Sequence, residues 1–314
     1  MSPIKILSIR FIMTGQILAL LGINIFAQQK IPDKTIALKA DEYINERVRQ
    51  GTYSGAVLIA RGGKTILSKG YGAANLEFNA PNTPQTKFRL ASLTKQFTAT
   101  AIMILHERGQ LDIEDSVCRY VSPCPDAWQA VTLKHLLNHT SGITEFGKPQ
   151  PVNDCFRRSP MTVTATLDRA RTFAPDFKPG EKFAYSSQAF NILGAIVEKV
   201  SGKTYENFLK ENIFAPLGMN DTGLDHQKEI TRNRAAGYQL TKDGTLRNFD
   251  FFNLDYLFAA GLYSTIEDLY LWEQAFYTEK LVKQTTIAKI FTPGLENFGY
   301  GWEIFPKFNR TLNR

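Results

Sequence analysis

The chain contains no run of five or six like charges; its 37 Lys and Arg residues and 30 Asp and Glu residues are scattered, for a formal net charge of +7. A nucleic-acid-binding face is built from clustered cations, so that class of function is set aside. Internal repeats and low-complexity tracts are also absent, which leaves 314 residues to form one large domain, or one domain with an inserted subdomain. Cysteine is scarce, and the spacings of Cys118, Cys124 and Cys155 fit no zinc pattern. No G-x-S-x-G elbow occurs, which argues against an α/β-hydrolase triad. His135 and His139 are four residues apart in "HLLNH", but Leu136 stands where a zinc protease needs its glutamate. No metal or other cofactor is expected, and His106 and His226 fall into no pattern.

What is present is an ordinary globular composition, 43% hydrophobic, 21% charged and 12% aromatic, behind a distinct leader. "MSPIKILSIR" carries two cations and no acid, "FIMTGQILALLGINIFA" is mostly apolar, and "QQKIPDK" turns polar. That sequence of regions reads as a secretory signal over residues 1–27, cleaved after Ala27, with the mature domain at 28–314. Thr14, Gly15 and Gln16 interrupt the apolar run, so no stable membrane span is expected once the signal is removed. The expected location is periplasmic or secreted. An oxidising compartment makes a Cys118–Cys124 disulfide around "RYVSP" plausible, leaving Cys155 over.

Along the chain, "ALKADEYINERVRQG" reads as an amphipathic helix ended by Gly51, and two β-type runs meet at Gly62-Gly63 as a hairpin. Thr132 is a candidate cap for "LKHLLNH", and residues 143–182 read as loop-rich. "SQAFNILGAIVEKVSG" puts Leu193, Ile196, Val197 and Val200 on one helical face with Gly202 as its stop. "KTYENFLKENIFAPLGM" predicts a helix ended before Pro216, and "STIEDLYLWEQAF" one opened by a capping box from Ser264 to Glu267. Strands first and helices through the middle predict an α+β fold with a helical insert.

In "RLASLTKQFTATAIMIL", Ser92 stands where a helix begins, and a serine cap is the simple reading. A cap favours Glu or Gln three residues on, whereas here that place holds Lys95, the wrong sign for the positive end of a helix dipole. The following residues are apolar around most of the helix, so Lys95 should be buried beside Ser92. Desolvation and the dipole would lower the pKa of that amine and fit it to accept a proton. Ser-x-x-Lys alone is weak, since Ser2 and Lys5 repeat it inside the leader. Tyr185-Ser186-Ser187 closes a Pro-Gly loop ahead of a helix and could supply a phenol to the same site; Tyr120-Val121-Ser122 matches the pattern as well.

Taken in order, "FRLASLTKQFTATAIMIL", "LDIEDSVCRYV", "VTLKHLLNHTSGI", "FKPGEKFAYSSQAFNILGAIVEKVSG", "IFAPLGMNDT" and "AAGLYSTIEDLYLW" resemble the serine β-lactamase and penicillin-recognising family, in the branch of class C β-lactamases, D-alanyl-D-alanine carboxypeptidases and related esterases. The resemblance implies an α+β fold in which an antiparallel sheet is flanked by helices, with an inserted all-α subdomain over about residues 112–250. It implies acyl transfer through Ser92, with Lys95 and Tyr185, as phenol or phenolate, sharing the proton, and with a small-molecule or peptidoglycan-peptide substrate. In this family "HTSG" is a structural loop, so His139 is not assigned a catalytic part. The third position of the Tyr loop, usually Asn, is Ser187 here; its hydroxyl is shorter than an amide, which bears on substrate binding. No K-T-G, K-S-G or H-x-G follows residue 261, so the strand carrying the family's third motif is expected to be missing and the sheet incomplete. Either a fragment or a truncated relative of weak activity would account for that. Two further readings are a non-catalytic envelope protein that binds peptidoglycan peptides or a protein partner, and a defective product without a stable fold. The sequence assigns no oligomeric state.

Overall fold

The computed structural model describes residues 31–143, 162–226, 228–249 and 258–305. The leader, Cys155 and residues 306–314 lie outside the described residues. Helix α1 (Asp33–Arg49) is followed by Gly51 at φ 67° and lies against the second strand of a hairpin, β1 (Gly55–Arg61) and β2 (Lys64–Tyr71). Arg61 pairs with Lys64, so Gly62 and Gly63 alone make the turn, at φ 58° and 74°. Two positive φ values are what a tight turn matched to strand twist requires. Strands β3 (Ala73–Asn75), β4 (Ala80–Pro81) and β5 (Phe88–Arg89) lead to helix α2 (Thr94–Glu107).

Helices fill the middle of the chain: α3 (Leu133–Leu137), α4 (Val163–Arg171), α5 (Ser187–Ser201) and α6 (Tyr205–Leu209), then a π turn at Lys210–Phe214 and α7 (Ala215–Leu217). Strands β6 (Gly223–Leu224), β7 (Tyr238–Leu240), β8 (Leu246–Asn248) and β9 (Leu262–Ser264) precede α8 (Ile266–Ala275) and α9 (Gln284–Ile290). The stretch 112–250 therefore holds α3 to α7 together with three short strands. The strands pair antiparallel, divided among four small sheets with orders β1-β2, β3-β4, β5-β9-β6 and β7-β8.

The core is centred on α2, buried from Thr94 to Leu105 except at Gln96, and packed against α5. Phe97 stacks on Trp272 of α8 at 4.1 Å, and Trp128, fully buried, donates Nε1–H to the Phe173 carbonyl at 2.9 Å. Cys118 and Cys124 are joined by a disulfide; a loop this small contributes about 2 kcal/mol by chain entropy. No helix among the described residues is long and apolar enough to cross a membrane.

Several local expectations shift. Ser92 caps nothing: it sits inside a 3-10 turn, Ala91–Leu93, and α2 begins after it without a side-chain cap. The cap of α8 is Thr265, which accepts from Asp268 N–H, because Ser264 is taken up by β9. The helix expected to stop before Pro216 runs on to Gly218 (φ 75°), since the wider π turn ahead of Pro216 eases a residue with no N–H to offer. Within the loop-rich stretch, Thr162 caps α4 by accepting from Ala165 N–H.

Candidate active site

Strand β5 leads into the turn that carries Ser92. Phe88 and Arg89 pair with β9, and Leu90 N–H donates to the Leu262 carbonyl at 2.8 Å. Arg89 Nε donates to Asp225 Oδ2 at 2.5 Å; that carboxylate is almost wholly buried and is also paired with Arg234. The chain then turns through Ala91 at φ 46°. Positive φ in a residue with a Cβ is uncommon, and such strain gathers at functional sites. Ser92 is thereby exposed at the mouth of a cavity of about 960 Å³.

Lys95, one turn on and only 2% exposed, donates from Nζ to Ser92 Oγ at 3.2 Å and to the Ala259 carbonyl at 3.1 Å. That carbonyl is held in place from the other side, since Ala259 N–H donates to Asn191 Oδ1 at 3.2 Å. Lys95 Nζ lies 4.8 Å from the Tyr185 ring centre and 5.8 Å from that of Phe190. Tyr185 comes from the loop before α5, whose first turn is capped by Ser186 Oγ accepting from Ala189 N–H at 3.0 Å. Ser92, Lys95 and Tyr185 thus line one cavity. Ser187 opens α5 beside them but is not among the residues that line it.

The other walls were not singled out from the sequence. Leu90, Phe183, Phe298 and Trp302 make them apolar, and Glu296 and Glu303 add negative charge. Lys95 is the only lysine or arginine among the described residues lining the cavity. The usable signal was the alternation of aromatics and glycines in "FGYGW", and, for Asn191, a polar residue on the buried face of an apolar helix. The two histidines of "HLLNH" serve separate backbone groups: His135 Nδ1 accepts from Thr132 N–H and His139 Nδ1 from Ser186 N–H. Burial, and secondarily the charge of Lys95, push the His139 imidazole down to about 3, so it is neutral at ordinary pH.

A serine hydroxyl bonded to a buried amine, beside a phenol and open to a cavity, can form and break an acyl bond. Proteins of known kind are similar to this chain. The family model described as Beta-lactamase matches residues 40–312. The putative penicillin-binding protein PbpX of Bacillus subtilis is 31% identical over 290 residues, covering 89% of this chain and 71% of the relative. Penicillin-binding protein 4* of the same organism is 30% identical over 270 residues, covering 80% of this chain and 59% of the relative. The octameric penicillin-binding protein homologue of Pyrococcus abyssi superposes with a TM-score of 0.73 at 32% identity, over 85% of this chain and 65% of that one. The chain thus spans only part of the length of each. Matched along most of its own residues by the family and by these relatives, the chain belongs to the Beta-lactamase family of serine hydrolases and has its β-lactamase/transpeptidase-like fold.

Proposed function

We propose that the protein is an exported serine hydrolase that works through an acyl-enzyme on Ser92. The observation that carries this reading is the 3.2 Å bond from Lys95 Nζ to Ser92 Oγ, in a cavity shared with Tyr185. Lys95 Nζ, or the Tyr185 oxygen, takes the Ser92 proton as Oγ attacks an acyl carbonyl. The tetrahedral oxyanion collapses, the leaving group departs with that proton, and water then releases the acyl group from Oγ. β-Lactams, D-Ala-D-Ala-type peptides and simple esters are the candidate substrates; the relatives' names favour the first. The cavity walls favour neutral esters, because Glu296 and Glu303 oppose a substrate carboxylate and among the described lining residues only Lys95 is cationic.

The leader over residues 1–27 supports export, and the Cys118–Cys124 disulfide fits an oxidising compartment. A second reading is a weak or inactive relative that holds peptidoglycan peptides or a protein partner without turnover. One experiment separates the two. Protein recovered from the culture medium or periplasm is treated with a fluorophosphonate and with a penicillin, and its intact mass is read. The expected mass begins at Gln28 and carries one adduct, lost in Ser92→Ala. Folded protein without an adduct overturns the hydrolase; peptide binding unchanged in Ser92→Ala then favours the binder. A mass that retains residues 1–27 overturns signal cleavage.

A further inference from the structure

His139 is wholly buried and holds φ 59°, an uncommon conformation for a residue with a side chain. It touches the Tyr185 loop at three points. Its carbonyl accepts from Ala184 N–H at 2.9 Å, its Nδ1 accepts from Ser186 N–H at 3.1 Å, and its ring lies 4.4 Å from the Tyr185 ring, tilted by 35°. The amides on both sides of the tyrosine therefore end on one residue. Around the imidazole, Phe190 and Phe298 stand at 5.1 and 4.9 Å and Phe183 at 5.8 Å, closing it from water.

A backbone N–H can only donate, so Nδ1 must present its lone pair and the single proton of the neutral ring sits on Nε2. Nε2 has no hydrogen-bond partner among the described residues. Burying such a donor is unfavourable, and an apolar side chain would fill the space without that cost. What an apolar side chain could not supply is an acceptor for Ser186 N–H.

We propose that His139 is the positioning residue for Tyr185: its carbonyl and Nδ1 fix the chain on either side of the phenol, and its ring sets the plane in which the phenol meets Lys95 and Ser92. The inference rests on the reading of Ser92 as nucleophile. It assigns His139 no contact with substrate.

The test is a double-mutant cycle on the full chain. His139→Phe keeps a ring and loses the acceptor; His139→Asn keeps an acceptor and tolerates the positive φ. Each is made alone and together with Tyr185→Phe, and kcat and KM for a neutral p-nitrophenyl ester are measured along with the rate of fluorophosphonate labelling. His139→Phe is expected to lower kcat about 10- to 100-fold with KM held within about 2-fold, the scale of a misplaced catalytic group. His139→Asn is expected to regain most of that loss. In the Tyr185→Phe background His139→Phe should change the rate less than about 2-fold, because positioning has nothing left to act on. Equal losses in both backgrounds overturn the proposal. Imidazole ¹⁵N NMR of the unmodified protein gives a readout that needs no activity and no folded variant. A proton on Nε2 and none on Nδ1 is expected, and the opposite tautomer overturns the clamp. Wild type that neither labels nor turns over ester fails the nucleophile reading, while the NMR result still decides the clamp.

Discussion

Burial of His139 makes acid a specific stress on this fold. Its imidazole is pushed from 6.5 down to about 3 by desolvation first and by Lys95 second. Between those two values the unfolded chain binds a proton that the folded chain does not, so stability rises with pH across that window. The contribution is complete above about pH 6.5 and is lost as pH falls toward 3, by on the order of a few kcal/mol. Urea midpoints at pH 7 and pH 4.5 check this: wild type should lose more than His139→Asn, and equal losses would remove His139 as the source. At this scale the Ser92–Lys95 pair was legible, because a lysine at a helix start contradicts simple capping and its burial then demands a reason. The part His139 plays was not legible, because its partners at 183–190 and 298 are remote in sequence and meet it only in the fold.

Packing between α5 and the segment after residue 257 sets where Lys95 finds its carbonyl. Gly194 faces Phe258 so closely that a Cβ built there would lie 2.1 Å from the phenyl Cγ. Phe258 also offers its carbonyl to Thr98 Oγ1–H at 2.6 Å, and Ala259, next in the chain, accepts from Lys95. Gly194→Ala is therefore expected to destabilise by about 1–3 kcal/mol, as overpacking does, and to slow Ser92 labelling without touching the cavity. Thermal unfolding and labelling rates on one sample decide it; a fall in stability with labelling unchanged would uncouple the two. The amphipathic stripe of α5 and the Gly62-Gly63 turn could be read from periodicity and turn chemistry. Element ends were less legible. Ser264 and Thr265 are both good caps, and only the pairing of β9 decides between them; Pro216 reads as a stop until a π turn is seen ahead of it.

The whole molecule was read through the order of its motifs rather than through any one of them, which is why the family emerged from sequence while the sheets did not. Strands of two or three residues, such as β5, β6 and β9, are too short to show alternation, yet β5-β9-β6 carries the turn that presents Ser92. The cavity that results has an acidic lining at Glu296 and Glu303. Fixed charges act over a distance that salt controls, about 10 Å at 0.1 M and about 3 Å at 1 M. Selectivity should therefore vary with ionic strength. The ratio of kcat/KM for a carboxylate-bearing ester to that for its neutral counterpart is expected to rise several-fold between about 0.02 and 0.5 M salt. Glu303→Gln should flatten the rise, and a flat ratio in wild type would leave both glutamates out of substrate choice. If the rise is seen, brine and dilution become a dial on which acyl groups this enzyme will admit, with no change in the protein itself.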